Sequence, residues 1–284
     1  MKSPALFLRC DLCGAENPRF LLKSSRLDGP LVECTNCGFR YVGHRTLGLA
    51  FGTESPEMTA AKVCKANTAF EDLSLEEEHR LARLNAKWRL KLIRSIRPSG
   101  KLLEVGCARG DFMRVAQEHF EVSGVEPNHE LAAFSSQFAP VYQDIIERTP
   151  WSGFDVIASF HVIEHVDSPR SFMVAAAEKL KRGGLMVIET PNIDSLPYKI
   201  FKAQWRQFIP EHYFFFDRKT IARLLSDCGL KTEAVRNIGK YASVDLITNR
   251  LSRYMPWIPH LNGFSNLTFR VNPLDIMLVF ATKP

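Results

Sequence analysis

The spacing of apolar positions divides the chain into three regimes. Residues 46 to 75 show no regular period and contain Gly48, Gly52 and Pro56, so they read as a linker. From Glu76 to Ile96 apolar residues recur at three- and four-residue intervals (Leu81, Leu84, Trp88, Leu92, Ile96), which predicts an amphipathic helix ended by Pro98-Ser99-Gly100. From Lys101 onward short apolar runs alternate with helical stretches. Strands are expected at 101–105, 121–126, 154–159 and 185–190, with helices at 111–119, 130–138 and 170–181 between them. Apolar strands alternating with helices predict a parallel sheet covered on both faces. A further helix is expected at 218–228, a strand near 231–236 and a last strand at 274–281. The Pro-rich, aromatic stretch from Tyr254 to Pro273 reads as an insertion between the final two strands. Three parts follow: residues 1–45, a linker and helix over 46–97, and an α/β domain over 98–284.

Composition narrows this picture. Of 284 residues, 45% are hydrophobic and 24% charged, ordinary for a globular protein and too apolar for disorder. The formal net charge of +6 is spread along the chain. It permits an anionic substrate, nucleic acid or a lipid surface and demands none. The only apolar run before Arg9 is Ala5 to Leu8, too short for a signal-peptide core. No stretch approaches the ~20 apolar residues of a membrane helix. The expected location is cytoplasmic, where thiols stay reduced, so the seven cysteines read first as metal ligands or free thiols.

Four of those cysteines form two pairs, Cys10-Asp11-Leu12-Cys13 and Cys34-Thr35-Asn36-Cys37, separated by twenty residues. Each pair is followed by a glycine, Gly14 or Gly38, which suits a tight turn that aims two sulfurs at one point. Two such pairs close a tetrahedral Zn2+ shell in the pattern of a zinc ribbon. So short a segment has too little core to fold without a staple. A closed shell is structural and leaves no position open for catalysis. Cys64, Cys107 and Cys228 are scattered.

Leu103-Glu104-Val105-Gly106-Cys107-Ala108-Arg109-Gly110-Asp111 lies between an expected strand and helix. Glycines there let backbone approach a ligand beyond the strand end. A dinucleotide fingerprint would need glycine at the third and sixth positions from Gly106; these are Ala108 and Asp111, so that reading fails. The next strand ends in Gly124-Val125-Glu126-Pro127-Asn128, where an acid can accept two hydrogen bonds from a ribose diol.

Together with Phe154–Val166 and Leu180–Asn192, these segments resemble the successive motifs of class I S-adenosylmethionine (SAM)-dependent methyltransferases. The nearest likeness is to bacterial members that join an N-terminal cysteine module to this core and are similar to saccharide and other small-molecule methyltransferases. It covers residues 10–45 and about 80–237. The resemblance implies a Rossmann-like, seven-stranded, mostly parallel sheet flanked by helices, with a small N-terminal zinc-ribbon module. It implies that SAM is bound by the loop Glu104, Gly106, Cys107, Ala108 and Gly110. Glu126, with Pro127, would hold the ribose, Asp144 and Ile145 the adenine, and Ser159, Phe160 and His161 would border the cofactor. One departure is that Ala108 stands where the family has the middle glycine of the loop.

Methyl transfer from a sulfonium chiefly requires alignment of the nucleophile; a hydroxyl or carbon acid also needs a general base. His161 and His165 flank Glu164 just after the strand at 154–159. They could pair on a metal, although three ligands with an open position are not apparent there. Glu211 and His212 lie in Pro210–Phe216. By resemblance to the zinc-module sugar methyltransferases this pair belongs to the active site, with His212 a candidate base; those enzymes commonly carry asparagine at the position of His161. The expected catalytic residues are therefore His212, Glu211 and His161. Tyr198–Ile209 reads as a lid in which Trp205 and Arg206 close over substrate or, equally, touch a membrane surface, and Phe214–Phe216 reads as core or lid packing. The expected acceptor is a small molecule, saccharide or nucleotide sugar, methylated on oxygen or carbon. The alternatives are RNA gripped by the zinc module, or a lipid- or quinone-type hydroxyl. Ser159-Phe160-His161-Val162 lacks the Asn/Asp-Pro-Pro-aromatic signature usual in amino-directed nucleic-acid methyltransferases, and the cysteine module has no basic stripe interleaved with aromatics, so nucleic acid is disfavoured.

Overall fold

The computed structural model describes residues 8–44, 74–252 and 255–284, except 256, 258, 260 and 262. Cys64 and nearly all of the expected linker lie outside the described residues.

The central sheet has seven strands: β4 (Gly100–Val105), β5 (Phe120–Val125), β6 (Val141–Tyr142), β7 (Phe154–Phe160), β8 (Leu180–Pro191), β10 (Lys231–Asn237) and β13 (Ile276–Thr282). Their order is β10-β13-β8-β7-β4-β5-β6. Strands β6, β5, β4, β7 and β8 are mutually parallel, while β13 runs antiparallel to both β8 and β10. The chain moves outward from β4 through β5 to β6, then returns to the other side of β4 as β7. That reversal opens a crevice at the carboxyl ends of β4 and β7, where α/β sheets bind ligands.

Alternate side chains of each strand feed two apolar layers. Leu103, Val105, Ile157, Met186, Ile188 and Val279 face one layer, with α4 (Pro169–Lys179) and α6 (Arg218–Asp227) packed over it. Leu102, Val156, Ala158, Leu185, Val187 and Leu278 face the other, covered by α1 (Leu75–Arg94) and α2 (Asp111–Ala116). Helix α3 (His129–Ser135) follows β5, and the short α5 (Leu196–Phe201) follows β8. The helix expected at 76–96 is present as α1, but its fully buried face is Leu81, Ala86, Leu90 and Ile93, and Ile96 is 46% exposed. The predicted stripe was offset because α1 lies in the corner between α2 and β11 (Lys240–Ser243) and is buried from two directions. Trp88 lies half-buried at its edge, with Arg270 3.9 Å over the ring. The expected insertion starts earlier than Tyr254. It comprises β11, α7 (Val244–Ser252) and β12 (Thr268–Val271), with β11 and β12 paired antiparallel. No described helix is long and apolar enough to cross a membrane.

The N-terminal segment forms β1 (Pro18–Leu22), β2 (Leu31–Cys34) and β3 (Arg40–Val42), and its sheet takes a fourth strand, β9 (Phe214–Phe215), from beyond β8. Phe39 stacks on Phe214 at 5.8 Å and contacts Phe216 at 4.9 Å. Asp11, between the first two cysteines, accepts hydrogen bonds from Ser168 Oγ (2.8 Å) and the Arg170 amide (2.9 Å), at the start of α4. Residues 8–44 therefore share one core with the large sheet. Phe214–Phe216 belong to that core, one of the two placements expected for them. Truncating Phe39, 1% exposed, to alanine should cost about 3–5 kcal/mol. Urea unfolding should remain a single transition; a loss below about 1 kcal/mol would mean the two layers are not one cooperative core.

Candidate active site

The loop after β4 is built from left-handed residues: Gly106 (φ 73°), Ala108 (φ 46°) and Gly110 (φ 72°). At Gly106 an added Cβ would lie 2.4 Å from Val162 Cγ2, so only glycine fits between the loop and the turn after β7. Ala108 holds the same kind of conformation against its side-chain preference. Its amide donates to Glu126 Oε2 (2.9 Å), while the Asn128 amide donates to Glu126 Oε1 (3.0 Å). Glu126 thus ties the ends of β4 and β5 together while each oxygen keeps a second lone pair. Burial raises its pKa, against the lowering effect of these two amides. Asn128 in turn caps α3 through the Leu131 amide.

Two polar atoms here are buried without a hydrogen-bond partner: Glu104 Oε2 and Ser159 Oγ. They lie on neighbouring strands at the crevice but on opposite faces of the sheet, since Glu104 is in register with Ala158 and Val105 with Ser159. Burial raises the Glu104 pKa well above the carboxylate range, with Arg89 opposing it. A buried acid with an unpaired oxygen at a strand end suits a ligand that brings hydrogen-bond donors and positive charge. Cys107 is buried, and its thiol, 3.6 Å from Ser135 Oγ, is pushed up by burial and so kept protonated. Farther along the edge, Asp144 meets Arg148 at 3.2 Å and accepts from the Ile145 amide at 2.8 Å.

On the other side of the switch point, β7 delivers His161, whose φ of 57° turns the chain sharply. Asparagine tolerates this conformation better than most residues. His161 Nδ1 lies 2.9 Å from Glu164 Oε1, and its Nε2 lies 2.9 Å from Glu189 Oε1 and 2.8 Å from Lys240 Nζ. Glu189 also receives Arg89 through two bonds of 2.7 Å. Glu164 Oε2 accepts from Thr190 Oγ1 at 3.0 Å. Both carboxylates are wholly inaccessible. Burial alone would raise them; the His161 hydrogen bond and the neighbouring histidines carry Glu164 down to about 2, and Arg89 and Lys240 hold Glu189 well below its usual range.

His212 reaches the same cluster. Its Nε2 is 4.0 Å from Glu164 Oε1, its ring meets that of His165 edge-on at 4.6 Å, and its Nδ1 donates to the Gln207 carbonyl at 2.7 Å. Burial, helped by His165, lowers its pKa to about 3. Glu211 faces this cluster through its backbone, its carbonyl accepting from His165 Nδ1 at 2.8 Å. The structure therefore joins His161, Glu164, His165 and His212 across fifty residues of sequence. The metal grouping it offers is Glu164 with His165 and His212, rather than His161 with His165.

Trp205 and Arg206 are not a lid. Trp205 is fully buried, and Arg206 makes two bonds (2.8 and 2.6 Å) to Asp275, an inaccessible carboxylate that also accepts from the indole at 3.2 Å. An interior acid needs these donors, so the aromatic stretch is drawn into the core. The exposed apolar residues nearby are Leu196, Ile200 and Phe201 on α5.

At the N-terminus all four cysteine sulfurs lie within 4.8 Å of one another, with Cys10–Cys37 at 3.6 Å and Cys13–Cys34 at 3.4 Å. Four thiolates at ~2.3 Å from a tetrahedral Zn2+ stand about 3.8 Å apart, so the cluster has the dimensions of such a shell. Gly14 and Gly38, both at positive φ, close the two turns. Burial raises Cys10, and raises Cys37 to about 11, whereas at Cys13 hydrogen bonds from the Ala15 backbone and Asn36 outweigh burial and lower the thiol to about 6.

Sequence reasoning missed Arg89, Glu189 and Lys240. Glu189 was detectable: it is the only acid in the apolar run Leu185–Ile188 and its continuation, and a charge on a strand covered on both faces must be paired. Arg89 and Lys240 carried no such signal. Removing the Glu189 carboxylate (Glu189→Ala) should destabilise by about 3–5 kcal/mol in denaturant titration, because Arg89 is left buried and uncompensated. Ala108→Gly should stabilise by about 0.5–1 kcal/mol, read as a higher Tm, by removing the left-handed strain.

A methyltransferase-domain family profile matches residues 78–235, more than half of the chain. Curated relatives include ubiquinone biosynthesis O-methyltransferases. The human mitochondrial protein is 26% identical over 179 residues, covering 55% of this chain and 46% of its own length. A protein from Cereibacter sphaeroides is 43% identical over 117 residues, covering 37% of this chain and 47% of its own. The chain thus spans about half the length of the curated relatives it matches. Among solved structures, magnesium protoporphyrin IX methyltransferase from Synechocystis PCC 6803 with bound SAH superposes with a TM-score of 0.53 at 11% identity, covering 79% of this chain and 95% of its own. A SAM-dependent methyltransferase from Archaeoglobus fulgidus superposes with a TM-score of 0.51 at 22% identity, covering 73% of this chain and 97% of its own. With its switch-point crevice, its left-handed loop and this family match, the chain belongs to the methyltransferase-domain family and has the fold of class I SAM-dependent methyltransferases.

Proposed function

We propose that the enzyme methylates a hydroxyl oxygen of a small molecule, a quinol- or catechol-type phenol in preference to a saccharide, with His161 as the general base. The observation that carries this reading is the placement of His161. It stands at the end of β7 between two buried carboxylates, with 22% of its side chain still accessible. The match to O-methyltransferases of ubiquinone biosynthesis supports the acceptor class. So does α5, which begins just past β8 at the same sheet edge and exposes Leu196, Ile200 and Phe201 beside Lys199 and Lys202. Such a margin suits an acceptor with a hydrocarbon tail.

When bound, SAM supplies a methyl group on a sulfonium, already activated for displacement. In this reading Glu126 accepts hydrogen bonds from the ribose diol and Glu104 faces the amino-acid portion, with Gly106 to Gly110 giving close backbone approach. Asp144 and Ile145 border the adenine, and Ser159 and Phe160 form the wall beside the reacting sulfur. His161 would take the acceptor proton on Nε2 as the oxygen–carbon bond forms and the methyl carbon–sulfur bond breaks to leave the neutral thioether, while Glu164, on Nδ1, holds the ring and stabilises the resulting cation. His212, with a pKa near 3, is too weak a base for this step at neutral pH. Zinc held by Cys10, Cys13, Cys34 and Cys37 serves as a structural staple for residues 8–44.

The test is turnover of labelled SAM with catechol-type phenols and with sugar nucleotides. His161→Asn should lower kcat by about 10²–10⁴-fold with little change in SAM affinity. Turnover of sugar nucleotides but not of phenols, or full activity in His161→Asn, would overturn the reading. Glu126→Ala should weaken SAM binding in calorimetry by about 10- to 100-fold. Burial raises the Glu104 pKa in the free protein, and a cationic ligand should lower it again. SAM affinity should therefore rise with pH up to that raised pKa, and calorimetry in buffers of different ionisation enthalpy should show proton release that is lost in Glu104→Gln.

A further inference from the structure

We propose that Lys240 is an acceptor-binding residue of this site: its ammonium, held beside His161 Nε2, pairs with the phenolic oxygen as that oxygen gives up its proton, so the acceptor is bound as its phenolate. This rests on the phenolic acceptor and the His161 base proposed above. Lys240 opens β11, in the segment inserted between β10 and β13, and lies beyond residue 235, where the methyltransferase-domain match ends.

Lys240 Nζ lies 2.8 Å from His161 Nε2 and 3.4 Å from Glu189 Oε1, and Nε2 lies 2.9 Å from that same oxygen. On the other side of the ring Nδ1 faces the Glu164 carboxylate, which only accepts, so Nδ1 carries a hydrogen. The neutral ring therefore has its one lone pair on Nε2, with a single position in the ring plane. In the ring able to act as base, that lone pair accepts from the Lys240 ammonium. A hydroxyl that donates its proton to Nε2 must take the place of Nζ. The displaced ammonium stays beside the incoming oxygen, because both reach for the same nitrogen. Glu189 does not depend on Lys240: it already holds Arg89 through two bonds of 2.7 Å, against the looser 3.4 Å to Nζ.

The backbone of Lys240 is anchored while its tip stays open. The adjoining Tyr241 amide donates to Asn85 Oδ1 on α1 at 2.8 Å. The Lys240 side chain is 39% accessible, against 22% for His161 and none for Glu189. The charged groups around it are Glu189 on β8, Arg89 on α1, Arg206 ahead of β9 and His161 after β7. Desolvation lowers its pKa to about 8, with Glu189 opposing and the two arginines adding to the fall. Such a cation is still mostly charged at neutral pH and gains from an anionic partner. As the acceptor binds, its O–H bond breaks, the proton passes to Nε2 and the electron pair stays on the oxygen against Nζ–H. A phenol, ionising at a pKa of about 10 like tyrosine, reaches that state far more readily than a saccharide hydroxyl.

The experiment mixes the full chain, without SAM, with 4-nitrophenol at a pH where the free probe is mostly neutral, and reads the longer-wavelength absorption of its anion. The ratio of anion to neutral phenol should be about 10-fold or more higher on the protein than in solution. Lys240→Met should return that ratio to the free value and Lys240→Arg should keep most of it, a pattern that a merely structural role would not produce. Both variants leave Glu189 its two bonds from Arg89, and Lys240→Gln takes the place of Lys240→Met if the latter does not fold. A probe bound in its neutral form, or a ratio unchanged in the folded Lys240→Met protein, overturns the proposal. Turnover of phenols with labelled SAM separates the two readings. If phenols are methylated while the ratio does not move, the role of Lys240 fails and the acceptor class stands; if phenols are neither bound nor methylated, both fail.

Discussion

Burying a carboxylate costs several kcal/mol unless cations and donors surround it, and at the open end of this sheet two carboxylates are buried side by side. Glu189 and Glu164 are both wholly inaccessible. Their partners come from α1 (Arg89), the turn after β7 (His161), β8 (Thr190), the segment before β9 (His212) and β11 (Lys240). Neither charge can be satisfied locally, so the five segments must converge before the interior can close. The same requirement fixes the ring of His161 to within hydrogen-bond tolerance, which is the precision that proton transfer needs.

The N-terminal segment extends this bracing. Val42 donates to the Tyr213 carbonyl at 2.8 Å, and Tyr213 in turn donates to the Glu164 carbonyl at 2.9 Å. Strand β3 therefore sits two hydrogen bonds from the buried acid, with Phe39 packed on the aromatic residues that follow His212. Asp11, held between the first cysteine pair, locks onto Ser168 and Arg170 at the start of α4. The cysteine turns thus brace the two loops that flank the acid–histidine cluster. The cofactor side is organised differently. There Glu126 links two strand tips through backbone amides, and Glu104 and Ser159 present polar atoms that the fold itself leaves unpaired.

Local pattern was sufficient wherever structure depends on neighbours in sequence. The alternation of apolar runs and helical stretches located the strands and helices around the sheet, because period and breaker residues act within a few positions. The cysteine pairs were legible because two ligands on one turn are a local property, and the structure brings all four sulfurs together. The glycine-loop positions and Glu126 were legible for the same reason: each sits at the tip of a strand whose end the sequence marks. His161, Glu211 and His212 were singled out individually, but nothing in the order of residues related the first to the last.

What the chain could not declare is who meets whom. Trp205 and Arg206 read as an exposed lid because nothing nearby in sequence reveals Asp275, seventy residues on, whose buried charge pulls them inward. The buried face of α1 shifted because two elements, one of them β11, press on it from different sides. Arg89, Glu189 and Lys240 looked like ordinary surface or strand residues until the fold placed them on one imidazole. Amino-acid order sets periodicity, turns and strand ends, which are short-range effects. Pairing of buried charges is long-range, since its energy exists only once solvent has been excluded from groups far apart in the chain, and that exclusion is the work of the tertiary structure.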